Sequence, residues 1–122
     1  MTRPPVPWPR GPGPVRYPTR MIVRVLTATV RHDRAATFNT LMRRQLPILR
    51  EHAGLEYVKL ARRVQGSTEE VLLFEEWRDA ASMYAWTGPE LSKPRLMPGA
   101  EELVSDLTIA HYEALDIDPV ED

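Results

Sequence analysis

Residues 55–86, LEYVKLARRVQGSTEEVLLFEEWRDAASMYAW, contain the clearest signals of the fold. Two runs within this stretch, Leu55 to Val64 and Val71 to Trp77, are rich in apolar and β-branched residues and are separated by a polar loop that contains glycine. Two such runs joined by a short loop predict an antiparallel hairpin. Asp79 then predicts the cap of a short helix over residues 80–87, because an aspartate side chain accepts from the first free amides of a helix.

Upstream of this stretch, residues 21–30 (MIVRVLTATV) are nearly continuously apolar and predict a strand that is covered on both faces. Apolar residues at helical spacing follow, and they predict a helix with Asp33 as its N-cap that continues to about Ala53. Pro47 lies inside this pattern and predicts a kink or a broken turn. Gly54 predicts the end of the helix.

Downstream, residues 90–99 contain two prolines and predict an irregular segment. Residues 100–103 predict a single helical turn, and residues 107–114 (LTIAHYEA) a fourth strand. The predicted order is therefore β-α-β-β-α-β. This is the ferredoxin-like α+β pattern, an antiparallel sheet with two helices on one face.

The first strand carries apolar side chains on both of its faces, although two helices can cover only one face of the sheet. Those side chains are Met21, Val23 and Val25 on one face and Ile22, Leu26 and Ala28 on the other. A second copy of the chain, packed sheet against sheet around a two-fold axis, is the economical cover for the remaining face. The sequence therefore predicts a homodimer.

Composition excludes several classes of function. The 122 residues suit one domain, and 43% hydrophobic with 27% charged residues is typical of a globular chain. A net charge of −1 argues against nucleic-acid or membrane partners, and no apolar run reaches the roughly 18 residues of a membrane span. The absence of cysteine excludes disulfides, thiolate metal sites and cysteine nucleophiles. It also fits a reducing compartment, so we expect a cytoplasmic protein.

The chain divides into three parts. Residues 1–20 contain seven prolines and four arginines but no acidic residue, and they predict a disordered Pro/Arg-rich N-terminal tail. Residues 21–115 form the predicted α+β domain. Residues 116–122 are an acidic C-terminal end that we expect to fray.

No strong catalytic motif is present. The chain contains no GxSxG elbow for a serine nucleophile and no HExxH-like spacing for a metal. The most suggestive residue is His111, which follows Leu107 and Ile109 by the period of two and would share their inward face. Beneath a helix that carries Tyr84 and Trp86, it would form an apolar pocket with one titratable group.

Such a pocket suits a flat aromatic ligand, which would stack on tryptophan and meet a base. The alternative is that Trp77 and Trp86 fill the core and that His111 is a hydrogen-bonded structural residue. Lys93 and Arg95, in the proline-containing segment, either meet an anionic substrate or face solvent.

Several segments of the chain together resemble a known family. The strand MIVRVLTATV, the segment HAGLEYVKLARR and above all VLLFEEWRDAASMYAW, with its strand-ending Trp77 and capped helix, resemble the antibiotic biosynthesis monooxygenase domain of the dimeric α+β barrel superfamily over residues 21–115. The resemblance implies a dimer and a pocket between each sheet and its helices. It also implies oxygenation of quinols and anthrones without any cofactor, in which the deprotonated substrate itself passes an electron to O2.

By the same resemblance, Trp86 and Trp77 would contact the substrate, Tyr84 would donate a hydrogen bond, His111 would act as the base, and Arg95 would hold the substrate oxyanion. A haem-degrading branch of the superfamily is similar in the spacing of its two tryptophans.

That branch has an asparagine and a histidine where this chain has Thr27 and Leu96. Haem binding or degradation therefore ranks below cofactor-free oxygenation. The remaining alternative is a non-catalytic dimer that binds a small hydrophobic molecule or serves assembly.

Overall fold

The structure, a computed structural model, describes residues 21–115. The predicted tail (1–20) and acidic end (116–122) lie outside the described residues, so both stay predictions. The elements are β1 Ile22–Arg31, α1 His32–Arg50, β2 Leu55–Gln65, β3 Thr68–Trp77, α2 Ala80–Thr87, a 3-10 turn Glu101–Leu103 and β4 Val104–Glu113. This order and the four-stranded antiparallel sheet confirm the ferredoxin-like α+β fold.

The sheet has the strand order β2-β3-β1-β4, so β1 is central although it comes first in the chain. Successive side chains of β1 and β3 alternate between a buried face, which the helices cover, and an open face where they are only half-buried. The buried face of β1 consists of Ile22, Arg24, Leu26, Ala28 and Val30. The sequence predicted that both faces of β1 are covered. Within the single chain, only one face is covered, and the helices cover it.

The start of α1 differs from the prediction. The helix begins at His32, directly after β1, and its N-cap residue Arg31 makes no side-chain capping hydrogen bond. Asp33 lies in the first turn, where its carboxylate is 2.7 Å from the Arg31 guanidinium. The predicted N-cap at Asp33 is therefore wrong, because the strand leads into the helix without an intervening turn.

The end of α1 also differs. The helix ends at Arg50 rather than Ala53, and it continues through Pro47 without a broken turn. Pro47 lies on the exposed side, so water can satisfy the carbonyl that loses its backbone donor. Gly54 has φ of 91°, and a Cβ at this position would collide with the Ser82 side chain. This glycine therefore serves close packing against α2 and does not cap α1.

The second helix agrees with the prediction at both ends. α2 spans Ala80–Thr87, and the Ser82 amide donates to Asp79 Oδ1 at 2.8 Å. This hydrogen bond is the main cause that lowers the pKa of Asp79. The hairpin turn is tighter than predicted, since β3 begins at Thr68 rather than Val71, and β4 begins at Val104 rather than Leu107.

Candidate functional site

His111 lies on the helix-covered face of β4. It pairs across the sheet with Arg24, just as Ile109 pairs with the buried Leu26. The Arg24 Nη1 atom is 2.9 Å from His111 Nε2. Because a guanidinium can only donate, Nε2 accepts this hydrogen bond, and the proton of the neutral imidazole lies on Nδ1.

Arg24 continues the network to β3. Its Nε atom lies 3.9 Å from Glu75 Oε1, and both side chains are almost completely buried. The same carboxylate oxygen accepts a hydrogen bond of 2.9 Å from Trp77 Nε1. The four side chains Arg24, Glu75, Trp77 and His111, here called the Arg24 cluster, cross three adjacent strands inside the core.

Burial governs the protonation of the Arg24 cluster. It raises the pKa of Glu75, against the opposing effects of the Trp77 hydrogen bond and the Arg24 charge. Burial also lowers the pKa of Arg24, although a guanidinium remains charged at neutral pH. Burial, followed by the charge of Arg24, lowers the pKa of His111 to about 4. His111 is therefore neutral at pH 7.

Sequence reasoning missed Arg24 and Glu75 as candidates. The signal was present, because Arg24 shares the parity of the inward Ile22 in β1, and Glu75 shares that of Trp77 in β3. Opposite charges at inward positions of two strands indicate a buried pair only once the strands are known to be neighbours.

The segment between α2 and the 3-10 turn, residues 88–99, is here called the strap. Side chains from the domain hold it through its backbone carbonyls. Arg24 Nη2 donates to the carbonyl of Lys93 at 3.3 Å, and Gln45 Nε2 of α1 donates to the carbonyl of Arg95. The irregular segment predicted from the prolines is therefore tied to both the Arg24 cluster and α1.

A cleft of about 180 Å3 lies where α1, α2 and the strap meet, and it is here called the Trp86 cleft. It is lined by Gln45, Ile48, Trp86, Arg95, Leu96, Met97 and Pro98. The Arg95 guanidinium lies 4.6 Å from the centre of the Trp86 ring, and Arg95 Nη1 donates to the Trp86 carbonyl at 3.0 Å. The His52 ring packs edge-on against Trp86 at 4.7 Å.

The five predicted site residues thus fall into separate groups. Trp86 and Arg95 are in contact and line one cleft, whereas His111 and Trp77 belong to the Arg24 cluster. Tyr84 is buried on α2 and is not among the residues that line the Trp86 cleft. A larger surface cleft of about 490 Å3 contains no predicted site residue; it is lined by Arg50, Leu55, Glu56, Tyr57 and Val58.

Within residues 21–115, no group of three or more His, Asp or Glu side chains is placed to hold a metal ion. None of the three histidines is among the residues that line the Trp86 cleft. The Nε2 lone pair of His111 accepts from Arg24, and the His52 ring packs against Trp86. His32 is exposed, with Nδ1 3.1 Å from Glu69. Among residues 21–115, neither helix combines the length with the apolar character that a membrane span requires.

Several solved structures share this fold. A conserved protein from Methanosarcina mazei aligns with a TM-score of 0.62 at 16% identity, over 78% of this chain and 93% of that chain. A Deinococcus radiodurans protein, provisionally described as an antibiotic biosynthesis monooxygenase, aligns with a TM-score of 0.63 at 18% identity, over 83% and 99%. A Nitrosomonas europaea protein with the same provisional description gives 0.61 at 14%, over 83% and 96%.

At these identities the structures establish the fold alone, and no curated protein matches the sequence. The family follows from the sequence itself. Residues 21–93, more than half of the chain, match the family model described as antibiotic biosynthesis monooxygenase. Members of that family are usually dimers. On this match, and on the βαββαβ fold that it requires, the chain belongs to the antibiotic biosynthesis monooxygenase family.

Proposed function

We propose that the protein is a cofactor-independent monooxygenase that oxidises a small, electron-rich aromatic substrate of the quinol or anthrone type with O2. The observation that carries this proposal is the pairing of Trp86 with Arg95 at the Trp86 cleft. The guanidinium lies over the face of the Trp86 ring, so a flat substrate would lie against this pair, with Arg95 stabilising an oxygen anion on the substrate.

The size of the cleft limits the substrate. Its volume of about 180 Å3 compares with the cavity of about 150 Å3 that holds benzene in an engineered core. A single hydroquinone ring therefore fits the cleft as it stands. A three-ring anthrone requires the strap, which forms one wall of the cleft, to move outward.

The proposed chemistry places the negative charge on the substrate. Loss of the phenolic or enolic proton produces an oxyanion, and Arg95 lowers the free energy of this charged form. The electron-rich anion then reduces O2. Overall, the substrate loses two hydrogens and gains one oxygen atom, and the second oxygen atom leaves as water.

His111 is the proposed proton acceptor, as a neutral imidazole at pH 7. It belongs to the Arg24 cluster and does not line the Trp86 cleft, so a substrate reaches it only when the strap moves outward. Its Nε2 lone pair is occupied by Arg24, so proton transfer to this atom requires Arg24 to rotate away from the imidazole. Arg24 Nη2 also donates to the strap carbonyl of Lys93, so outward movement of the strap breaks this hydrogen bond and leaves Arg24 free to rotate. In the same proposal Trp77 supports the cluster through Glu75. Tyr84 would donate a hydrogen bond to the substrate only after a rearrangement, because its side chain is buried and does not line the Trp86 cleft.

Oxygen uptake by the purified protein with a hydroquinone and anthrone panel tests the proposal. We expect uptake above the autoxidation rate, and a fall of about tenfold or more in Arg95→Gln, since one charge-assisted hydrogen bond contributes about 1.5–3 kcal/mol. The matched control is Lys93→Gln, which removes an exposed strap cation that is paired with Glu90. Equal losses in the two variants would remove Arg95 from the mechanism.

One observation favours a second candidate, a module that binds a small hydrophobic molecule without turning it over. The pKa of His111 is about 4 and its lone pair is already used, which makes it a weak base. In this case hydroquinone quenches the Trp86 fluorescence without oxygen uptake, and His111→Gln binds as wild type does. A large loss of turnover in His111→Gln instead supports the enzyme.

We also propose that the protein is a homodimer joined through the open face of the sheet. That face carries half-buried apolar residues, including Phe74 of β3, whose ring packs edge-on against Tyr57 at 5.9 Å. Phe74→Glu should therefore yield a monomer by light scattering. Val64→Glu, at an exposed position on the other face of the sheet, should remain dimeric. A dimeric Phe74→Glu would contradict this interface.

The cytoplasmic location stays a prediction that rests on the absence of cysteine.

A further inference from the structure

A second cleft, separate from the Trp86 cleft, lies between α1 and β2. Its volume is about 210 Å3, and it is here called the Asn39 cleft. Asn39 and Arg43 of α1 and Leu60, Ala61 and Arg62 of β2 line it. The two clefts have no lining residue in common, so a ligand here would not compete with one in the Trp86 cleft.

Asn39 is the unusual residue of this cleft. It is only 7% exposed, yet its side-chain amide has no hydrogen-bond partner in the described part of the chain. Asparagine is a poor helix former, and the Asn39 amide atoms are not among the fully buried ones, so the amide is open to a ligand or to water. Nothing within α1 requires an amide at this position. The cleft that Asn39 lines is therefore the place to look for its partner.

The charges around the cleft are unbalanced. Arg43 is exposed and forms no ion pair within residues 21–115. Arg62 donates from Nη1 to Glu69 Oε1 at 2.9 Å, and the other oxygen of that carboxylate lies 3.1 Å from His32 Nδ1. The single carboxylate is thus already shared between Arg62 and His32, and the charge of Arg43 is left uncompensated.

The strand adds to this donor-rich environment. β2 is an edge strand, with β3 as its only neighbour in the sheet of the described residues. An edge strand presents backbone N–H groups that no neighbouring strand occupies. Two guanidinium groups, an amide and a free strand edge form a set of donors that matches the oxygen atoms of an anion.

We propose that the Asn39 cleft binds a small oxyanion, a phosphate or carboxylate group, between the guanidinium groups of Arg43 and Arg62, with the Asn39 amide donating to a third oxygen. The volume of the cleft accommodates a single such group and a short attached chain. The site does not depend on the proposed oxygenase activity.

The experiment is a titration of the full-length protein with inorganic phosphate and, separately, with acetate, at constant ionic strength set by sodium chloride. Isothermal calorimetry measures affinity, and the NMR signal of the Asn39 side-chain NH2 reports where the anion binds. We expect saturable binding of at least one of the two anions with a shift of that signal, and a loss of affinity of about tenfold or more in Arg43→Gln, as for one charge-assisted contact. Preference for phosphate or acetate identifies the group that is recognised.

The chain offers two matched controls. Arg44→Gln removes the neighbouring exposed arginine of α1, and Arg63→Gln removes an arginine of β2 whose side chain pairs with Glu70 instead. Both lie outside the lining of the cleft and should keep the wild-type affinity. The proposal is overturned by the absence of saturable binding, by an unmoved Asn39 signal, or by equal losses in Arg43→Gln and Arg44→Gln. Arg43 is exposed, so its variant should fold.

Discussion

Two glutamates on the same strand show how differently one fold can treat one side chain. Glu69 and Glu75 both lie on the helix-covered face of β3, and each is 2% exposed. Glu69 meets Arg62 and His32, whose side chains are 58% and 64% exposed. Glu75 meets Arg24 and Trp77, which are themselves buried. The two carboxylates are equally buried, but the partners of Glu69 are exposed and those of Glu75 are buried.

The role of a buried carboxylate therefore depends on whether its partners are exposed or buried. The partners of Glu69 extend into water, so the Arg62 charge keeps most of its hydration and these contacts lie at the edge of the core. Arg24 and Glu75 have both left water, and each is costly unless the other is present. That dependence makes the two charges a single unit within the Arg24 cluster. The cluster joins three strands and, through Arg24, the strap.

The largest expected effect follows from removing one arginine from each pair. Arg24→Met leaves Glu75 buried without its counter-charge, and we expect a loss of about 3–5 kcal/mol in the free energy of unfolding. Arg62→Met should cost at most about 1 kcal/mol, because its side chain is largely exposed. Urea unfolding at neutral pH measures both. Similar losses would break the distinction between the two glutamates.

A double variant sharpens the same test. Arg24→Met with Glu75→Met removes both buried charges and should recover much of the stability lost in Arg24→Met, since a well-packed apolar pair often replaces a buried ion pair without loss. If stability is not recovered, the cluster contributes through its hydrogen bonds to His111 and the strap rather than through its charges.

An intermediate effect concerns pH. Unfolded histidine has a pKa of about 6.5, whereas that of folded His111 is about 4. Between these values the unfolded chain binds the proton more tightly, so stability rises with pH across this window and falls on acidification. The whole shift corresponds to about 3 kcal/mol, and the partial exposure of the ring reduces the expected effect to about 1–2 kcal/mol. Parallel stability profiles of wild type and His111→Gln over this range would contradict the assignment.

The smallest expected effect is that of salt. In about 1 M sodium chloride the screening length falls to about 3 Å, which weakens exposed ion pairs much more than buried ones. The cost of Arg62→Met should therefore vanish at high salt, while that of Arg24→Met should persist. Both costs are measured by urea unfolding in low and high salt. If the cost of Arg24→Met disappears as well, solvent reaches the Arg24 cluster.

The order and type of the elements were readable from the sequence because each rests on local signals. The capped helix α2 was predicted to the residue, since Asp79 and the following residues specify its start within one turn. The ends of α1 were not predicted to the residue. At the N-terminus, strand pairing continues to Arg31 and the helix starts directly after it. At the C-terminus, Gly54 is required by its contact with the distant Ser82 rather than by the end of the helix. The family, too, was recognisable from strand MIVRVLTATV and the stretch around Trp77.

The candidate sites divide in the same way. Alternation along β4 was enough to turn His111 inward, and residue type was enough to single out Trp86 and Arg95. Only the tertiary structure joined Arg24 to Glu75 and His111, because the partners lie on strands that become neighbours through pairing and are 51 and 87 positions apart in the chain. It likewise placed Asn39 beside Arg62 in one cleft. Periodicity acts over a few residues and determines which way a side chain points, whereas the group that it meets depends on which elements pack together.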